Sequence, residues 1–179
     1  TNPGVIHVTD EGSVLEASQI VVSGTSAAAE AMRPAAVRVV GGARLVLRLA
    51  IVEDARSTGI LVSGAGSEAQ IGDIVVRRTP AGSGQTFGVL VRQGGDLLAE
   101  RLLLDESRNV AVLVDDASAT IADLVVRDTS RREGDGLLGN AVVAQRDAHV
   151  SLSRALLKRN ADPSLLATLA TVDARDVLV

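Results

Sequence analysis

Apolar positions along the chain follow one arrangement that returns seven times. A small or aliphatic residue is followed by any residue, an aliphatic, two unrestricted residues and then three aliphatics in a row. The arrangement occupies Leu15 to Val22, Leu45 to Val52, Ala69 to Val76, Leu97 to Leu104, Ala119 to Val126, Val150 to Leu157 and Val172 to Val179. Its third position falls on Ala17, Leu47, Ile71, Ala99, Ile121, Leu152 and Ala174, spaced by 30, 24, 28, 22, 31 and 22 residues. Between the blocks lie shorter, mostly apolar stretches: AVRV at 36–39, GILV at 59–62, GVLV at 88–91, AVLV at 111–114 and AVVA at 141–144, with LLAT at 165–168 a looser match. Runs of Val, Ile and Leu this short, bounded by Gly, Asp and Ser, predict extended strands. No stretch carries the 3.6-residue stripe of a helix, a turn at Ser26 to Met32 aside. Alternation within a block points Ala69, Ile71, Ile74 and Val76 inward, and Gln70, Gly72, Asp73 and Arg77 outward.

A repeat as short as 22 residues with two or three strands in each copy suits a parallel β-helix. Coils stacked at about 4.8 Å would make a rod of about 34 Å from about seven coils. These blocks resemble the right-handed parallel β-helix repeats of the pectin lyase-like superfamily, over Val5 to Val179. The resemblance implies an all-β solenoid and no single activity, since that superfamily holds polysaccharide lyases, hydrolases, esterases, phage tailspikes and adhesins. The alternative is a leucine-rich-repeat-like solenoid, because IGDIVVRRT at 71–79 and IADLVVRDT at 121–129 mimic its L-x-x-L-x-L-x-x-N core. Against it, the second half of each repeat is strand-like. Residues 1–179 read as a single domain and, with a strand pattern running to Val179 and no atypical capping repeat, as a segment of a longer protein.

Composition narrows the chemistry. The absence of Cys excludes disulfides, thiolate catalysis and Cys-ligated metals. There is no Trp or Tyr, and Phe87 is the single Phe, which removes the aromatic platforms on which sugars and single-stranded nucleic acids stack. A net charge of −4 without a basic block argues against a nucleic-acid partner. The longest apolar run, 45–52, is too short to span a membrane and carries Arg48. Asp115 and Asp116 adjoin but lack the spacing of a calcium loop, and Gly41-Gly42 and Gly94-Gly95 belong to no phosphate-binding motif. Neither a metal nor a cofactor is expected.

If repeats stack in register, equivalent positions form columns. One outward column reads Gln19, Leu49, Asp73, Arg101, Asp123, Arg154, Asp176, and a second reads Ser23, Glu53, Arg77, Asp105, Arg127, Lys158. Alternating sign predicts ion ladders on the solvent side. Asp73 and Asp123 would stand about 9.6 Å apart, near the upper limit for the carboxylates of an inverting glycosidase. Arg101 between them would keep both ionised, which is wrong for a general acid. An inner column of Thr79, Ser107, Thr129 and Asn160 predicts a polar stack. As a nucleophile Ser107 lacks a base, because His7 and His149 lie repeats away. Two aliphatic stripes should face outward: Val21, Ile51, Val75, Leu103, Val125, Leu156 and Leu178, and Leu61, Leu90, Leu113 and Val143.

The connections between blocks alternate in length. From the last inward residue of a block to the next strand the separations are 15, 8, 13, 8, 16 and 8 residues. Every second repeat thus carries an insertion at one corner, and insertions on a repeat scaffold commonly form a binding face. Candidate interaction residues there are Arg33, Phe87, Arg131, Arg132 and Asp135. The expected function is a non-enzymatic scaffold presenting loops for surface interaction or adhesion, to a protein or polysaccharide, outside the cell or at its surface. The alternatives are a fragment of a polysaccharide lyase or hydrolase and a self-associating filament subunit.

Overall fold

A computed structural model describes residues 5–24, 35–80, 85–132 and 138–179. All regular elements among the described residues are strands. One seven-stranded sheet contains, in order, β1 (Ile6–Val8), β3 (Ala35–Val40), β5 (Thr58–Ser63), β7 (Phe87–Arg92), β9 (Asn109–Asp115), β11 (Gly139–Gln145) and β13 (Leu165–Thr168). The other contains β2 (Val14–Ser23), β4 (Arg44–Glu53), β6 (Glu68–Arg77), β8 (Asp96–Asp105), β10 (Ser118–Arg127), β12 (His149–Lys158) and β14 (Thr171–Leu178). Within each sheet a strand pairs, always parallel, with the strand two places on in the chain. The chain therefore passes between the sheets in alternation and climbs by one rung with every two strands, as a β solenoid does. A leucine-rich repeat would supply one sheet and a helical or irregular back; here both halves of the repeat are strands.

Register follows the sequence pattern. Ala17, Leu47, Ile71, Ala99, Ile121, Leu152 and Ala174 pair in one unbroken column. Burial follows alternation as well: Ala69, Ile71, Ile74 and Val76 lie in the main core, and Asp73 and Arg77 reach solvent. The two unrestricted positions have a backbone explanation. The second of them, Gln19, Leu49, Asp73, Arg101, Asp123, Arg154 or Asp176, has φ between 52 and 57°. This left-handed residue bends each long strand and adds one residue to the alternation, so Ile71 and Ile74 both point inward. For an L-residue the conformation costs about 1–2 kcal/mol, which the packing on either side of the bend must offset. A second left-handed column, Asp54, Arg78, Glu106, Asp128 and Arg159, turns the chain at the end of the same sheet.

The odd-numbered strands bend too, at Ala36, Gly59, Gly88, Ala111 and Ala141, which the pairing skips. Only small residues fit. A Cβ on Gly59 would sit 2.5 Å from the carbonyl oxygen of Gly88 and 2.6 Å from Cγ1 of Val76. Gly59→Ala is therefore expected to cost about 1–3 kcal/mol in urea denaturation, because the obstructing atom is backbone. A neutral result would show that the bend yields.

Two expectations need correction. Leu61, Leu90 and Val143 do point away from the main core, yet they are buried, packed with Ala35, Phe87 and Val110 in a second apolar cluster. That stripe is interior except at Leu113, which is half-buried against the same cluster. Phe87, expected on a loop, opens β7 between Thr58 and Val110 and is 1% exposed. The stripe from Val21 to Leu178 does reach the surface: those two end residues are exposed, and Ile51, Val75, Leu103, Val125 and Leu156 are half-buried.

Candidate functional site

Charged side chains concentrate at the bends, and the left-handed residues put them there. Stacking brings an acid on one rung against an Arg on the next. Arg101 grips Asp73 with two hydrogen bonds, Nε to Oδ1 at 2.5 Å and Nη2 to Oδ2 at 2.9 Å. Arg154 holds Asp123 in the same way at 2.6 and 3.0 Å, Arg78 holds Asp54 at 2.8 and 3.0 Å, and Arg159 holds Asp128 at 2.7 and 2.5 Å. In the column beside them Arg77 donates to Glu53 at 2.8 Å, and Arg127 to Asp105 at 2.9 and 2.7 Å. The fork geometry is what Arg supplies and Lys does not.

These contacts set the protonation states. Hydrogen bonds from Arg101, and then its charge, hold the Asp73 carboxyl below the usual carboxylate range. Arg154 does the same to Asp123, Arg77 to Glu53, Arg78 to Asp54 and Arg159 to Asp128. Asp73 and Asp123 thus share a column but are each clamped as carboxylates, the state in which neither can donate a proton. The sign of the pH effect follows. Folded values lie below unfolded ones, so the stabilisation is complete above the unfolded value of about 4 and is lost as pH falls through the depressed folded values. Thermal melts at constant ionic strength should be flat from about pH 7 to 5 and fall steeply below about 4. A melting temperature that rises on acidification would contradict the ladders.

The inner polar column is buried at Thr79, Ser107 and Thr129. Thr79 Oγ1 accepts from the Arg108 N–H at 3.2 Å, and Asn160 Oδ1 from the Thr129 N–H at 3.4 Å. Ser107 is beyond the reach of a substrate, and both His7 and His149 are exposed on other strands. At the remaining corner Asp115 is held by Nε and Nη2 of Arg146. With Asp116, Arg92, Gln93 and Asp147 they line an open depression of about 410 Å³. Among the described residues no three His, Asp or Glu come together as a metal would need. A chelator should leave the melting temperature unchanged; a fall of several degrees with EDTA, restored by calcium, would oppose this.

The long and short connections leave one edge in alternation. Residues 24–34, 78–86 and 128–138 join an even strand to the next odd one, and the intervening rungs close with 54–57, 106–108 and 159–164. The backbone stays stacked as the connection begins: Ser130 N–H donates to Ser107 O at 2.9 Å and Ala161 N–H to Thr129 O at 3.0 Å. Arg131 is anchored to the next rung, with Nη2 2.7 Å from Asp162 Oδ1, and Arg132 beside it is half-buried and has a partner of its own. Arg33 and Asp135 lie outside the described residues. The structure thus brings Arg131 and Arg132 to the expected edge and takes Phe87 into the interior. Compared with protein-family models, with curated proteins and with solved structures, the chain has no significant match.

Proposed function

We propose that the chain is a right-handed parallel β-helix of about seven coils, pectin lyase-like in architecture, that works as a non-enzymatic scaffold. Its task is to hold long connections at one edge for contact with a protein or a polysaccharide, outside the cell or at its surface. The observation that carries this reading is the alternation at that edge. Short connections suffice to close a rung, so the long ones at 24–34, 78–86 and 128–138 are additions that closure does not need. Clamping of the corner carboxylates by Arg supports a scaffold over a hydrolase or lyase, whose general acid must be able to give up a proton.

The test is a screen of acidic and neutral polysaccharides that reads both binding and release of shorter chains. Binding without release is the expected result. It should be lost when the side chains of 27–33 and 133–136 are replaced by Gly and Ser at unchanged length. Release of product that disappears in Asp73→Asn or Asp123→Asn would establish the polysaccharide-active enzyme instead.

A further inference from the structure

The half-buried stripe on the even-numbered sheet lies between two charged columns, and the charges alternate across it as well as along it. On the rung of Val75 the flanks are Asp73 and Arg77; on the rung of Leu103 they are Arg101 and Asp105; on the rung of Val125 they are Asp123 and Arg127. On these three rungs the order is acid–aliphatic–base, then the reverse, then acid–aliphatic–base again. A partner that repeats alternating charge at the strand spacing of about 4.8 Å matches this face. A glycan with charges of one sign does not, and the stripe offers it no aromatic ring.

We propose that this face is where two copies of the chain meet, side by side and parallel, about a two-fold axis along the stacking direction. That operation lays each rung against its own counterpart. Val75, Leu103 and Val125 meet themselves, Asp73 of one copy faces Arg77 of the other, Arg101 faces Asp105, and Asp123 faces Arg127. Self-complementarity of this kind is what a two-fold interface requires. The pattern holds on these three neighbouring rungs; beyond them Val21 lies between Gln19 and Ser23, Ile51 between Leu49 and Glu53, and Leu156 between two cations, Arg154 and Lys158. The face is about 29 Å long and about 13 Å wide, well short of the roughly 800 Å² per partner of a standard interface. The dimer is accordingly weak and concentration-dependent.

Sedimentation equilibrium on the full chain from about 1 to 500 μM tests this, the upper limit being set by the small face. The expected result is a reversible monomer–dimer equilibrium. Leu103→Lys should weaken it by 10-fold or more with circular dichroism unchanged, because it places a charge in the middle of the stripe. Lys158→Glu should strengthen it, because it extends the alternation to a fourth rung, that of Leu156. A gain that stays a reversible dimer, with circular dichroism and melting temperature unchanged, separates the proposal from misfolding, which drives open-ended association instead. A monomer throughout the range, a dimer indifferent to Leu103→Lys, or a dimer weakened by Lys158→Glu would each overturn the proposal.

Discussion

Val76→Asp is expected to prevent folding. Val76 is 0% exposed, paired between Val52 and Leu104 in the inner column of the even-numbered sheet. A carboxylate there has no cation or hydrogen-bond donor of its own among these aliphatic neighbours. It must be buried charged, or protonated at a pH well above its ordinary pKa of about 4, and both are costly. Either way the change exceeds about 4 kcal/mol, against a total stability of about 5–15 kcal/mol for a domain. Gln70→Asp, on the opposite face of the same strand between Val46 and Leu98, should cost less than about 1 kcal/mol. Circular dichroism and urea denaturation of the two variants decide the matter. Equal losses would mean that the faces are wrongly assigned by one residue.

Phe87→Ala should cost about 3–5 kcal/mol, the price of emptying a buried aromatic site. The ring fills the outer apolar cluster with Leu61, Leu90 and Val110, on the side of the odd-numbered sheet away from the main core. Phe87→Leu should recover most of the loss by refilling the volume. Were Phe87 a recognition residue on a loop, both variants would melt like the parent.

Much of this was legible in the sequence because a solenoid writes its register as repetition. The seven aliphatic blocks align residue for residue as strands, and the alternating charges of Asp73, Arg101, Asp123 and Arg154 became clamped pairs. Two features were not legible. Left-handed backbone at Leu49, Arg101 and Arg154 carries no Gly or Asn to announce it, since the bend is imposed by the rungs above and below. The position of Phe87 was hidden because it follows Gly and Ser at 82–84, which read as loop. Only the pairing with Thr58 and Val110 places it in a strand. The candidate edge was visible as length alternation, and that Arg131 is tied to Asp162 depends on a contact 31 residues away in the chain.

The central claim is that seven rungs stack in register, and one distance series tests it directly. Glu16, Thr120 and Asp173 are exposed and stand in a single column, on β2, β10 and β14. Because the chain has no native Cys, spin labels can be attached at pairs of these positions after substitution by Cys. Dipolar electron paramagnetic resonance should give narrow distributions centred near 19 Å for Glu16–Thr120 and near 29 Å for Glu16–Asp173, at about 4.8 Å per rung. Broad distributions, or separations that fail to grow in proportion to the number of rungs, would contradict the stacked solenoid.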